Sequence, residues 1–238
     1  MIDIHTHILP ALDDGSRSID ESKKMLDMLL EQGVDTIVAT PHFYIDETEV
    51  DSFLQLRNAS VKKLTDTIDE KSRPKLALGA EVQFIPEIYT MDDIEKLCFS
   101  GTKYMLIEMP FAAWTGYTYK ALEKLYTARG IKPIIAHVER YFEFQEEDAS
   151  EVLRRLKDAG VLIQINSSFL INNATKRLAL KLVKKGFISF MGSDCHNIDV
   201  RTPELRAGFD VIYKKMGEIG LDSFAYWEEK LKGKLDTL

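Results

Sequence analysis

Each of the five histidines in this chain closes a short apolar run, and carboxylates stand near most of them. His5 and His7 end Met1-Ile2-Asp3-Ile4-His5-Thr6-His7, and His42 ends Ala39-Thr40-Pro41-His42. His137 follows Ile135-Ala136, and Asp194 and His196 close Gly192-Ser193-Asp194-Cys195-His196. Two more such runs end in Glu81 and Glu108. Imidazole nitrogens and carboxylate oxygens together suit first-row divalent cations. Histidines scattered at random would fall on helices and in remote loops as well, so this placement predicts a multinuclear metal site.

On an extended first strand, period-two alternation puts Asp3, His5 and His7 on one face and Ile2 and Ile4 on the other. A His-x-His pair presented in this way can chelate one cation. The competing account is a polar chain terminus, and Asp3 is expected only to orient a histidine from behind. Asp13-Asp14-Gly15, taken alone, is a turn leading into a helix. His42, Glu81, Glu108 and His137 each end an apolar run, where a half-buried imidazole or charge needs a partner. A structural salt bridge would account for one of the two glutamates, but not for both beside three histidines.

Seven apolar, β-branched-rich runs supply the elements that must carry these groups: Ile2–His5, Val34–Ala39, Lys75–Glu81, Tyr104–Glu108, Pro133–His137, Val161–Ile165 and Phe187–Met191. Helical periodicity lies between them. Ser18-Ile19-Asp20-Glu21 has the form of a capping box, opening a helix with Met25, Leu26, Leu29 and Leu30 inward and Gly33 at its end. Further helices are expected over Glu49–Glu70 (Phe53, Leu56, Val61, Leu64 and Ile68 on one face), Glu151–Gly160, Ala174–Gly186 and Asp222–Leu238. Alternating strands and helices predict one α/β domain, 1–238, with parallel strands. A doubly wound sheet and a barrel both fit that alternation. Convergence of six strand ends on one mouth favours the barrel, and seven strands rather than eight make it irregular.

Composition narrows the function classes. The net charge is −7 with both signs mixed along the chain, so there is no basic footprint for nucleic acid or for anionic membranes. Two cysteines, Cys98 and Cys195, are too few for a disulfide framework. Neither a signal peptide nor a run of membrane-spanning length is evident, and the expected compartment is the cytoplasm.

The motifs, in their order along the chain, resemble the polymerase-and-histidinol-phosphatase (PHP) superfamily of metal-dependent phosphoesterases. Within it they look most like the bacterial manganese-dependent tyrosine phosphatases of capsular and exopolysaccharide clusters. The resemblance runs from Met1 to about Arg201. It rests on the opening His5-Thr6-His7 and Asp13-Asp14-Gly15, Thr40-Pro41-His42, Gly79-Ala80-Glu81, Ile107-Glu108-Met109-Pro110, His137-Val138-Glu139-Arg140 and Ser193-Asp194-Cys195-His196. It implies a distorted (β/α)7 TIM-like barrel of PHP type holding two to three divalent ions, manganese preferred, iron or zinc as alternatives. The matching ligand positions are His5, His7, Asp14, His42, Glu81, Glu108, His137, Asp194 and His196. Arg140 and Arg201 match arginines that hold the phosphate.

The implied chemistry is hydrolysis of phosphotyrosine by metal-activated water, with His42 or Asp194 able to assist the leaving phenolate by proton donation. The implied partner is a tyrosine-phosphorylated protein, in the family's setting a bacterial tyrosine kinase of polysaccharide synthesis. Charge counting agrees: three divalent cations against Asp14, Glu81, Glu108 and Asp194 leave about two positive charges, which match a phosphate monoester dianion. Phe111, Trp114, Tyr117 and Tyr119 could clasp the tyrosyl ring, or simply pack. Phe43-Tyr44 stands where the family often has polar residues, which bears on the shape of the substrate rim.

Four other readings compete. Cys195-x5-Arg201-Thr202 has the literal form of the cysteine-dependent phosphatase signature. Its interior lacks the glycine that such a phosphate-wrapping loop usually contains, and it includes Asp199. Histidinol phosphate is the rival substrate within the superfamily. An amidohydrolase would need a bridging lysine at a strand end, where Glu81 stands instead. A non-catalytic, metal-stabilised binding module would be signalled by missing ligands, and all nine are in place.

Overall fold

Strand β1 (Ile2–Thr6) pairs in parallel with β2 (Thr36–Ala39), and β2 pairs with β4 (Lys75–Leu78). A second parallel set runs β3 (His42–Phe43), β5 (Glu81–Gln83), β6 (Tyr104–Glu108), β7 (Lys132–Ile135), β8 (Leu162–Asn166) and β9 (Phe190–Gly192). This is a computed structural model that describes residues 1–69 and 73–238.

β2 and β3 are two halves of one stave interrupted at Thr40-Pro41; β4 and β5 are halves of the next, interrupted at Gly79-Ala80. The described strands therefore form seven staves. They close into a ring where Thr6 bridges Cys195, the His7 amide donates to the Cys195 carbonyl at 2.9 Å and the Asp194 amide donates to the His5 carbonyl at 2.9 Å. This is the expected distorted (β/α)7 barrel.

The two interruptions correct the expected continuous strand Lys75–Glu81 and make His42 the first residue of a strand rather than the last. Pro41 has no amide to give a ladder, although its carbonyl still accepts the Glu81 amide at 3.0 Å. Gly79 lies against Phe99, where a Cβ would come within 2.6 Å of the ring.

Helices α1 (Ile19–Glu31), α2 (Val50–Thr65), α3 (Gly116–Arg129), α4 (Ala149–Asp158), α5 (Ser167–Ile171), α6 (Lys176–Lys184), α7 (Leu205–Met216) and α8 (Asp222–Lys232) connect the staves. Ser18 caps α1 by accepting the Glu21 amide at 3.2 Å. The reciprocal half of the box is shifted: the Glu21 carboxylate takes the Arg17 amide at 2.8 Å and the Arg17 guanidinium at 2.7 Å. Met25, Leu26 and Leu29 are buried as expected, whereas Leu30 faces solvent. Helix α2 ends at Thr65, earlier than the periodicity suggested, and Glu70 lies outside the described residues. Phe53, Val61 and Leu64 are buried, but Leu56 is 59% exposed.

The expected helix to Leu238 stops at Lys232. Its tail turns back along β4, where Thr237 bridges Ala77 and the Leu238 amide donates to the Leu76 carbonyl at 2.8 Å. β4 ends its three-stranded set, and its edge is covered by the tail at Leu76 and Ala77 and by Ser100 at Leu78.

Apolar side chains fall into two layers. The inner layer, the floor of the barrel, contains Ile2, Ile4, Val38, Leu106, Ile134 and Phe190 among others. The outer layer, which includes Ile37, Ile107, Ile135, Ile163 and Met191, packs the staves against the helices.

Candidate metal centre

β1 does not keep its alternation. Ile2 and Asp3 pair with Thr36 and Ile37, but Thr6 pairs with Ala39, so one residue of β1 is extra between Asp3 and Thr6. A bulge of this kind re-aims a side chain. Ile4 therefore packs in the floor, while His5, its immediate neighbour, also reaches the enclosed mouth. Asp3 does not orient a histidine ring, as strict alternation suggested. It accepts the backbone amides of His5 at 3.3 Å and Ser193 at 3.0 Å, tying the first stave to the last.

Above the floor, Glu81 at the start of β5 is the hub. One of its oxygens lies 3.0 Å from His5 Nε2, 3.2 Å from His7 Nε2 and 3.2 Å from His42 Nδ1; the other lies 2.9 Å from His137 Nε2. His5 Nε2 and His7 Nε2 are 3.1 Å apart. Asp14 Oδ1 is 3.3 Å from His196 Nε2 and 3.4 Å from His42 Nε2, and Asp194 Oδ1 is 3.4 Å from His5 Nε2. Glu108 stands slightly further off, 3.7 Å from His137 Nε2 and 3.9 Å from His42 Nδ1. The nine residues singled out in the sequence thus come together as four overlapping groups of three or four potential ligands.

These spacings fit metal ions. Donors bound to one cation at about 2.0–2.2 Å stand roughly 3.0–3.5 Å from one another. His42 Nδ1 and His196 Nε2 are buried without a hydrogen bond although each faces a carboxylate oxygen at 3.2–3.3 Å. Two imidazole nitrogens in contact, and buried lone pairs with no proton to share, are costly arrangements for a purely structural cluster.

His137 and Asp194 have φ of 29° and 54°, a left-handed backbone that is costly for non-glycine residues. The His137 amide is held by Gln164 Oε1 at 2.7 Å.

Arg140 and Arg201 both donate to Asp194, Arg140 to Oδ2 and Arg201 to Oδ1, the latter at 2.7 Å. Burial pushes this carboxyl up, but His5, His137 and Arg140 outweigh it and hold Asp194 below the usual carboxylate range. That suits an anionic ligand. Beside the arginines, Ser168, Ser193 and Thr202 help to line a polar pocket of about 120 Å³.

Comparison with known proteins places this geometry. The sequence profile for capsular polysaccharide synthesis proteins CpsB/CapC matches residues 1–228. The chain belongs to the CpsB/CapC family. The tyrosine-protein phosphatase CpsB of Streptococcus pneumoniae is 33% identical over 239 residues, with 91% of each chain covered. A chain from the crystal structures of YwqE from Bacillus subtilis and CpsB from Streptococcus pneumoniae, described as unique metal-dependent tyrosine phosphatases, superposes with a TM-score of 0.82. It is 30% identical, and the match covers 100% of this chain and 97% of that one. Histidinol phosphate phosphatase from Lactococcus lactis, at a TM-score of 0.51 and 12% identity over 96% and 92% of the two chains, shares the fold alone.

Sequence reasoning missed the residues that hold the candidate ligands in place. Asp13, passed over as a turn residue, has Oδ2 2.7 Å from His7 Nδ1 and also accepts the His42 amide at 3.1 Å. Gln164 and Asn166, on alternate positions of β8, thread the barrel from the first stave to the last. Gln164 Oε1 lies 3.2 Å from His5 Nδ1, its amide donates to Asn166 Oδ1 at 2.9 Å, and Asn166 Nδ2 donates to Asp194 Oδ2 at 2.9 Å. Because Gln164 Oε1 can only accept, it assigns the proton of His5 to Nδ1 and leaves Nε2 free. Two buried polar residues alternating with Leu162, Ile163 and Ile165 were the available signal.

The aromatic group after Glu108 divides. Trp114 and Tyr119 are buried, packing edge-to-face on each other, with Arg155 over the Tyr119 ring at 3.9 Å; they do not clasp a substrate. Phe111 and Tyr117 remain exposed. Cys195 is fully buried in the outer layer, and burial pushes its thiol well above the usual range, which removes it as a nucleophile.

Proposed function

We propose that this chain is a metal-dependent protein-tyrosine phosphatase that hydrolyses phosphotyrosine on proteins of capsular or exopolysaccharide synthesis. The observation that carries the reading is the convergence of nine nitrogen- and oxygen-bearing side chains beside two arginines and a phosphate-sized polar pocket. His5, His7, Asp14, His42, Glu81, Glu108, His137, Asp194 and His196 would hold two to three divalent ions, with manganese preferred. When bound, such ions supply Lewis acidity and bring the ionisation of water toward neutral pH.

The protein's own groups do the rest. Asp13 and Gln164 fix the rings of His7 and His5 so that their Nε2 atoms point at the centre. Arg140 and Arg201 each keep further N–H donors beyond the one given to Asp194, enough to fork onto the equatorial oxygens of a phosphoryl group. A phenolate is a good leaving group and needs little protonation, so His42 and Asp194 serve here as ligands. The partner we propose is a tyrosine kinase of polysaccharide synthesis, met in the cytoplasm. Among the described residues no helix is long and apolar enough to cross a membrane. Residues 1–238 are proposed to act as one domain.

The test is hydrolysis of a phosphotyrosine peptide by metal-stripped protein, with and without Mn²⁺, beside histidinol phosphate. Activity restored by Mn²⁺ on the peptide, and retained when Cys195→Ser is introduced, is the expected result. Preference for histidinol phosphate, or activity indifferent to metal and abolished by Cys195→Ser, would overturn the reading.

A further inference from the structure

Beside the centre, a cleft of about 520 Å³ opens between α2 and the loop that follows β3. It is within the size range of specific ligand sites and is continuous with the centre, because His42 and Asp14 line both. Its apolar wall is made by Phe53, Tyr44 and Leu56. Leu56 is 59% exposed, and the Tyr44 ring lies nearly parallel to His42 with centroids 5.2 Å apart. The rim is acidic: Asp13, Asp14 and Glu47 border the cleft, and among the described residues no lysine or arginine does. The phosphate-sized pocket with Arg140 and Arg201 lies beyond Asp194. The molecule thus pairs an arginine-bearing polar pocket with an apolar, anionic flank.

From this arrangement we propose that the cleft is a subsite for the peptide flanking the phosphotyrosine, selecting an apolar side chain followed by a lysine or arginine. Leu56 and Glu47 are its specificity-determining residues. The proposal rests on the phosphatase reading and deepens it. An exposed leucine is ordinary by itself. Here it continues a wall that leads from a candidate reaction centre, and its polar border carries one sign of charge. Such a border selects partners by complementarity and repels the wrong ones. Asp14 is assigned to the metal centre and Asp13 is held by His7 and the His42 amide, which leaves Glu47 as the uncommitted charge facing the flank.

The test uses the full-length, Mn²⁺-loaded protein with a small aryl phosphate and three phosphotyrosine peptides, whose flanks are apolar–basic, apolar–acidic and polar–neutral. The apolar–basic peptide is expected to have the lowest KM. Glu47→Lys should raise its KM by roughly three- to tenfold and favour the acidic flank instead, the scale of one exposed charge reversed. Leu56→Asp should raise KM for both apolar peptides. Both substitutions are at exposed positions, where folding is little affected, and kcat on the aryl phosphate, which has no flank, reports the integrity of the centre. Equal KM for all three peptides, or variants that change kcat on every substrate alike, would overturn the subsite while leaving the phosphatase. Failure of Mn²⁺ to support hydrolysis even of the aryl phosphate would overturn both.

Discussion

The floor and the mouth of the barrel are built from the same strands, yet they are held together in opposite ways. In the floor, Ile4, Val38, Leu106, Ile134 and Phe190 are fully or almost fully buried and carry no polar atom to satisfy; removal from water is enough to hold them. A few ångströms above, His5, His7, Glu81, His137 and Asp194 are just as buried and would be costly to desolvate unless each found a partner. They find one another, then Asp13, Gln164 and Asn166, and the spacings leave positions suited to cations. The floor is therefore the source of stability, and the mouth a liability that the floor and the bound ions offset.

Separating these two contributions gives a graded set of experiments. The largest effect is expected at the hub: Glu81→Ala should lower Mn²⁺-restored hydrolysis by more than the ~100-fold typical of residues behind a ligand. The metal-free variant should still unfold cooperatively, and its collapse on calorimetry would show that the hub is structural. Next, Phe190→Ala in the floor should cost about 3–5 kcal/mol of unfolding free energy. Mn²⁺ affinity by titration calorimetry should stay near that of the unaltered protein; a parallel loss would mean that the two layers are not separable.

The polar thread stands between the layers. Gln164→Leu should weaken Mn²⁺ binding about 10- to 100-fold, with Gln164→Glu, which keeps the acceptor, retaining more of it. A leucine variant that binds metal normally would show that the proton of His5 is set otherwise.

The smallest effect lies outside both layers, at the start of α1. Contact with Arg17 lowers Glu21 from 4.5 to about 2, so its contribution to stability is present above pH 4.5 and lost as pH falls toward 2. Glu21→Gln should lower the Tm at pH 6 by a few degrees and hardly at all near pH 2.

How far the sequence can be read depends on which layer a residue serves. Candidate ligands announce themselves because an imidazole or carboxylate at the end of an apolar run contradicts its surroundings; the clustering of His137 and Glu108 was legible for that reason. Seven staves were countable, since each has an apolar run of its own. The breaks at Pro41 and Gly79 were hidden because Lys75–Glu81 reads as one run, and the tight approach of Phe99 to Gly79 is a tertiary fact. Asp13 was hidden by its turn chemistry: Asp-Asp-Gly satisfies a local rule so well that a long-range role leaves no trace. Leu56 and Leu30 fit the helical period yet face water, since the apolar stripe of a helix says which side can be buried and not how wide its neighbour is. Trp114 and Tyr119 were ambiguous because aromatic residues near a site and aromatic residues in a core have the same composition.

The extra residue in β1 acts on the alternation code as a frameshift acts on a message. Up to Asp3 the strand is read in one phase, with Ile2 and Ile4 assigned to the floor; from Thr6 onward it is read in the other, with His7 assigned to the mouth. Ile4 and His5 sit astride the change, so one short strand delivers a greasy side chain and a candidate ligand to the same enclosed space from adjacent positions. Deleting a residue there would restore a regular ladder and tighter pairing with β2. It would also return one of the two to the wrong side of the wall, making a better strand and a poorer enzyme.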